Sequence, residues 1–296
     1  LEIIFIDNGS TDSSVKMIKK YCSKKQKTQV LQCIKKGPAA ARNTGLELVT
    51  GDFLSFLDVD DEIHPKKHTI LINELMKYPD AGMALGLTER LYSKTKSHPI
   101  NLGPLKPGLN RYPEPGFLWL KQIQHQPHIG SFLLKKNILS NVCSFPENLL
   151  YGEDGAFMIK IGLIENLVLV DQVVYTYHRH DKSLISKANQ TMSPRERYFQ
   201  FYEKFALPYF YNRVKHEPFK SAFNYSENIA FKILIQLIKN EGKWKYLESL
   251  NRQQAYYKSG RYQKTRYNLF SLLPFNYANY LYSRSKELFS LNEKNN

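Results

Sequence analysis

The sequence predicts an α/β fold with a mostly parallel sheet, followed by a helical C-terminal region. Three observations carry that reading. Short apolar runs alternate with amphipathic helical stretches over residues 1–60. Turn and cap residues separate them where such alternation requires. The alternation stops near residue 190, where the composition changes. Strands alternating with helices bury a parallel sheet between helical layers.

The elements follow in order. Ile3–Ile6 reads as a strand running into the turn Asp7-Asn8-Gly9-Ser10-Thr11-Asp12. Ser10, Thr11 and Asp12 are good N-caps for a helix over about Ser13–Cys22. Val30–Ile34 fits a second strand. Gly37-Pro38 starts a helix with Pro in its first turn, and Gly51 ends it. Phe53–Leu57 is a third strand. Pro65–Tyr78 is an amphipathic helix whose inner face is Ile70, Leu71, Leu75 and Met76. Ala81–Leu87 is a strand, and residues 92–116, rich in Pro and Gly, read as a long loop. Ser131–Leu134 is a strand and Lys135–Val142 a short helix. Tyr151–Gly155 turns into a helix over about Ala156–Ile164, with short strands at Leu167–Val170 and Val173–Tyr177. Ser193-Pro194 opens a region of four or five helices, with Ser as cap and Pro first.

Composition bounds the function. The chain has 296 residues, 42% of them hydrophobic, enough for a sizeable core. No apolar run approaches the roughly 18 residues that suggest a membrane span. Cys22, Cys33 and Cys143 are too widely spaced for a zinc site or a disulfide framework, so they read as reduced thiols of a cytoplasmic protein. The net charge of +15 is concentrated at the end: residues 191–296 hold 18 Lys and Arg against 8 Asp and Glu, and 13 of the 20 tyrosines. Two regions are expected, 1–190 and 191–296. Leu1-Glu2-Ile3-Ile4 already reads as a core strand, so the chain is expected to be trimmed at its front.

Phe53-Leu54-Ser55-Phe56-Leu57-Asp58-Val59-Asp60-Asp61 is the most telling stretch. An apolar run ends in three carboxylates. Residues two apart on a strand share a side, so Asp58 and Asp60 can aim at one point beyond the strand end, where open α/β sheets bind ligands. Paired carboxylates suit a hard divalent cation shared with a phosphate. The structural alternative is a solvated acidic turn. Asp7–Asp12 by itself reads first as an ordinary Asx-type turn. Lys36–Gly45 reads as a helix with a surface Arg42, and Glu153-Asp154 as carboxylates favoured by a helix N-terminus.

Taken together and in this order, Asp7–Asp12, Lys36–Gly45, Asp58–Asp61, Glu153-Asp154 and Tyr177-His178-Arg179-His180-Asp181-Lys182-Ser183 resemble the family 2 glycosyltransferases, which have the Rossmann-like GT-A fold. The resemblance covers residues 1 to about 185. It implies that Asp7 contacts the nucleobase or ribose of a nucleotide-sugar donor and that Arg42 orders the donor loop. It implies that Asp58 contacts ribose or metal, and that Asp60 binds a divalent cation, Mn²⁺ or Mg²⁺. Asp154 would be the catalytic base with Glu153 positioning it, and Arg179 or His180 would lie near the diphosphate or metal. Three departures accompany the resemblance: the family's first strand–helix unit is absent, Lys36 replaces a polar neutral residue, and Lys160 stands where Arg is common.

The activity so implied is inverting, metal-dependent transfer from a nucleotide-sugar, a UDP-sugar first, to a saccharide or lipid-linked acceptor in bacterial capsule, exopolysaccharide or lipopolysaccharide synthesis. Two other classes are weighed. Asp58-Val59-Asp60 matches the D-x-D loop of haloacid-dehalogenase-like phosphohydrolases, but two strand–helix units precede it. A silent binding module would not require both Asp60 and Asp154. The basic, aromatic residues 191–296 read as a helical cap, or as a peripheral contact with the inner face of the cell membrane. No nucleic-acid recognition motif is present.

Overall fold

The computed structural model describes residues 1–92, 95–96, 99–142, 144–179 and 190–241. His180, Asp181, Lys182 and Ser183 of the last motif, Cys143, and residues 242–296 of the tail lie outside the described residues.

The chain opens β1 (Ile3–Asp7), α1 (Ser14–Cys22), β2 (Thr28–Gln32), α2 (Pro38–Leu46), β3 (Phe53–Leu54), β4 (Glu62–Ile63) and α3 (Lys67–Lys77). β5 (Ala81–Tyr92), β6 (Thr95–Lys96), β7 (Gly108–Asn110), α4 (Glu114–Lys121), β8 (Phe132–Lys135), α5 (Leu139–Val142), α6 (Glu153–Gly162) and β9 (Asn166–Arg179) follow. α7 (Pro194–Phe201), α8 (Leu207–Tyr211) and α9 (Phe219–Glu241) close the described chain.

The α/β class is as expected, but the sheet is mixed rather than mostly parallel. β1 and β2 form a parallel pair of their own. The larger sheet runs β3-β8-β5-β9-β4, with β6 on β5 and β7 on β9. Within it β5 and β9 are parallel, while the other described pairings are antiparallel. The strand–helix alternation that signals parallel pairing extends only as far as β3. Beyond it, the antiparallel pairings of β3 with β8, β4 with β9 and β7 with β9 join segments far apart in the chain, which local alternation does not signal.

Local differences have physical causes. The third strand is two residues long, not five, because its ladder in the larger sheet is with β8 alone. The two short strands expected after residue 166 are one, β9, with Asp171 and Gln172 bulged where the register to β5 shifts near Gly86. α4 lies across the end of the expected loop, and its buried Leu118, Trp119 and Leu120 are the apolar signal that the Pro/Gly count masked. On α3 the buried stripe is Lys67, Leu71 and Leu75, and Met76 is exposed.

α3 packs on the sheet through Leu71 and Leu75, against Ala81, Ala84, Leu133, Val168 and Val174. On another side α4 crosses α6 with backbones nearly touching: a Cβ on Gly116 would lie 2.4 Å from the Leu163 nitrogen. α7 begins as the sequence indicates. Ser193 Oγ accepts the Glu196 amide at 3.2 Å, and Glu196 accepts the Ser193 amide at 3.1 Å.

The chain divides into compact units Leu1–Glu227 and Asn228–Asn296. The first unit therefore includes α7 and α8, and Phe199, Phe201 and Phe210 on them, with Phe205 between them, are buried. Tyr202 anchors this region by donating its hydroxyl to the Leu120 carbonyl at 3.1 Å. The aromatics of residues 194–211 thus act as a cap. The described part of the second unit is helical. Among the described residues no helix is long and apolar enough to cross a membrane.

Gly116→Ala and Gly162→Ala are each expected to cost roughly 1–3 kcal/mol of stability through overpacking. Urea unfolding checks this, and unchanged midpoints would contradict the close α4–α6 crossing.

Candidate active site

The carboxyl ends of β1 and β9, helix α2, the loop after β3 and the first turn of α6 supply the residues the sequence singles out. At its centre is Arg42 on α2. Its Nη1 donates to Glu153 Oε1 at 2.8 Å, and its Nη2 donates to Asp58 Oδ1 and Oδ2 at 3.0 and 3.2 Å. The guanidinium also lies 5.5 Å from the centre of the Phe145 ring. Burial opposes its charge, but Asp58, Asp154 and Glu153 outweigh that and hold its pKa above the ordinary arginine value. Glu153 is pushed the other way from most ion-paired carboxylates. Burial and the neighbouring Asp154 raise its pKa, against the pull of Arg42.

The adjoining residue, Asn43, explains how Arg42 is aimed. Its side chain donates to the Phe145 carbonyl at 3.0 Å and accepts the Phe145 amide at 2.8 Å. α2 is thereby fixed to the segment before α6. Phe145 stacks on Phe157 at 4.0 Å, and Phe56 packs edge-on against both. An aromatic floor therefore supports the end of the β3 run.

The three carboxylates beyond that floor have different surroundings. Asp58 is committed to Arg42. Asp61 accepts the Tyr175 hydroxyl and, at 2.8 Å, the His178 amide. Burial raises its pKa, as do Asp60 and Asp58. Asp61 thereby ties this loop to β9. Asp60 is exposed at the loop tip. Asp154 accepts the Gly155 amide at 2.7 Å in the first turn of α6.

Asp7 is buried at the end of β1, and the Ser10 hydroxyl and amide hold its carboxylate below the usual range. Asn8 bridges to the start of α2, accepting the Gly37 amide at 2.7 Å and donating to the Lys35 carbonyl at 2.7 Å. Gly9 has φ 94°, and a Cβ there would meet Lys36 Nζ, which itself donates to the Asn8 carbonyl at 3.0 Å. Lys36 thus holds the turn together. Arg179 is exposed at the end of β9. The proposed metal contact His180 falls outside the described residues.

A divalent cation can be tested against this donor set. Among the described residues no three His, Cys, Asp or Glu side chains gather around one point. Mg²⁺-type sites in phosphate-handling proteins take one or two carboxylates and complete the shell with phosphate and water. An exposed Asp60 beside a committed Asp58 fits that pattern.

Several site residues escape sequence reasoning. Lys67 is fully buried, and its ammonium donates to Ser55 Oγ and the Gly130 carbonyl, each at 2.5 Å. Burial lowers its pKa to about 7. Its signal was available: it lies four residues before Leu71, on the core face of α3. Tyr177 stacks on His128 at 4.3 Å, and Arg90 at the end of β5 adds positive potential to both. Lys160 is buried and donates to the carbonyls of Val142 at 3.2 Å and of Ser144. An ammonium suffices for two carbonyls, which accounts for Lys where the family has Arg.

A strand-end acidic loop, an arginine shared between two carboxylates and a carboxylate pair at a helix start thus gather at one place on an α/β fold. The sequence model of Glycosyl transferase family 2 matches residues 1–141, just under half of this chain. An uncharacterised glycosyltransferase, YibD, of Escherichia coli is 40% identical over 72 residues, 24% of this chain and 21% of that protein. An uncharacterised glycosyltransferase of Rickettsia conorii is 28% identical over 172 residues, 58% of this chain and 27% of that protein. The chain thus matches about a quarter of the length of these relatives. Staphylococcus aureus TarS 1–349, solved in complex with UDP-GlcNAc, superposes with a TM-score of 0.57 at 17% identity, covering 85% of this chain and 71% of that one. That likeness shows the GT-A-like fold.

Two predictions follow from the buried cations and imidazole. Lys67→Met leaves the Gly130 carbonyl unpaired, so a loss of about 2–4 kcal/mol is expected by urea unfolding. A loss under ~0.5 kcal/mol would contradict the clamp. For His128, burial lowers the pKa to about 4. Between pH 6.5 and 4 the unfolded chain takes up a proton that the native imidazole refuses, so stability falls as pH drops through that window. Over most of it Lys67 is protonated in both states and adds little slope. The expected loss is on the order of 2 kcal/mol, seen as a steeper fall in melting temperature for the wild type than for His128→Gln. Parallel curves would refute it.

Proposed function

We propose that this chain is an inverting glycosyltransferase that moves a sugar from a nucleotide-sugar to a hydroxyl of a saccharide or lipid-linked saccharide in bacterial surface-polysaccharide assembly. The observation that carries the reading is Arg42 held between Asp58 and Glu153, with Asp154 beside them. A UDP-sugar is the first donor to try, because the structural neighbour TarS was solved with UDP-GlcNAc.

In this reading Asp154 removes the proton of the acceptor hydroxyl. The oxygen attacks the anomeric carbon as the bond from that carbon to the diphosphate oxygen breaks, and the electron pair leaves with the diphosphate. One base and one leaving group give a single displacement, hence inversion. Glu153 keeps Arg42 in place and Asp154 oriented. Asp7 and Asp58 contact the nucleoside, and Arg179 lies near the diphosphate. Asp60, with His180, would hold a divalent cation that neutralises developing charge on the diphosphate when bound. Residues 191–296 bring the protein to an anionic leaflet. The match to the family model and the commitment of Asp58 to Arg42 weigh against a phosphohydrolase nucleophile at Asp58.

The test is release of nucleoside diphosphate from a panel of nucleotide-sugars with Mn²⁺ or Mg²⁺. Asp154→Asn is expected to lower kcat by ~10²–10⁴-fold, the usual worth of a general base. Asp60→Ala is expected to weaken the metal dependence. Turnover unchanged in both variants would overturn the assignment.

A further inference from the structure

We propose that the His128 imidazole hydrogen-bonds the acceptor hydroxyl that Asp154 deprotonates, making His128 a further substrate-contacting residue. This rests on the glycosyltransferase reading above.

The first support is placement. The segment carrying His128 abuts the first turn of α6: a Cβ on Gly155 would lie 2.2 Å from Gln126 Oε1. Asp154, one residue before Gly155, exerts a direct electrostatic effect on the imidazole. Arg90 is the other charged group that acts on it.

The second is rigidity. The His128 carbonyl accepts both the Ser131 amide at 3.0 Å and the Ser131 hydroxyl at 2.8 Å. Two residues on, the Gly130 carbonyl accepts the Lys67 ammonium, and Gly130 itself admits no side chain because a Cβ would lie 2.0 Å from the Tyr175 ring. A fully buried lysine is costly unless its hydrogen bonds are satisfied. Here it fixes the backbone next to His128 to Ser55, three residues before Asp58.

The third is the state of the ring. One face stacks on Tyr177, 30° from parallel. Neither ring nitrogen hydrogen-bonds to a described residue, and the side chain is only partly buried. A neutral imidazole offers one donor and one acceptor. A ring oriented by that stack, within the field of Asp154 and with its nitrogens unpaired among the described residues, is suited to a hydroxyl. A purely packing role needs no nitrogen, and phenylalanine would serve it as well.

That difference is the test. In hydrolysis of UDP-GlcNAc, or of whichever donor the panel identifies, water stands in for the acceptor hydroxyl. His128→Phe in the full chain is expected to lower kcat at least tenfold with donor KM unchanged. His128→Gln, which keeps a donor and an acceptor, retains at least a third of wild-type kcat. In an Asp154→Asn background the His128→Phe effect shrinks to under threefold, because the two groups act on one proton. Melting temperatures show that each variant is folded. If Asp154→Asn abolishes turnover while folded His128→Phe keeps it, the inference is wrong and the functional reading stands. If His128→Phe raises donor KM instead, the residue serves the donor and the inference is wrong. Absence of turnover by the wild type overturns the functional reading and the inference together.

Discussion

The buried charge of Arg42 organises this site. A guanidinium taken out of water needs carboxylates, and here it draws one from each of two distant parts of the chain, Asp58 and Glu153. Those partners are 16 and 111 residues away. The pair is therefore a tertiary clamp rather than a helix-surface contact. Truncating either carboxylate would leave a buried charge under-compensated, which costs far more than a surface ion pair is worth. The aromatic floor of Phe56, Phe145 and Phe157 keeps the surroundings apolar, which strengthens the attraction and raises the penalty for breaking it.

Two further clamps extend the same logic to the sheet. Asp61 joins the acidic loop to β9 through Tyr175 and the His178 amide, and Lys67 joins it to the segment before β8 through Ser55 and Gly130. The parallel pair β5 and β9 ends at the same level, so Arg90, Tyr177 and Arg179 arrive there by register alone. A site held on three sides by charged or hydrogen-bonded links is preorganised: little reorientation remains when charge develops.

Legibility divides along the same line. Short, ordered patterns at strand ends and helix starts single out Asp7, Arg42, Asp58, Asp60, Glu153 and Asp154 as candidates, and the structure brings Arg42, Asp58 and Glu153 into contact. The α/β class was readable from alternation, and the α7 cap from Ser193-Pro194-Arg195-Glu196. What could not be read depends on pairing between distant segments. Nothing local says that β8 returns antiparallel, that β9 survives the polar Asp171-Gln172 as a bulge, or that Tyr175 will find Asp61. Lys67 escapes the sequence because a lysine at a helix start is ordinarily solvated, and only the stripe it shares with Leu71 and Leu75 says otherwise. His128 lacked any pattern: its placement comes from Gly130 and Ser131, whose roles exist only once the fold brings Lys67 and Tyr175 to them.

The clamps also account for how three adjacent carboxylates divide their work. Had Asp58, Asp60 and Asp61 all faced water, their mutual repulsion would have been screened and their roles interchangeable. Instead Arg42 takes Asp58 and Tyr175 takes Asp61, so that both are oriented by the protein itself. Asp60 stands exposed at the tip between them. Under the proposed function, a cation sharing its shell with a diphosphate would need a carboxylate that water and ligand can reach, and the exposed Asp60 meets that requirement. The division follows from which partners lie beneath the loop, not from the acidic motif.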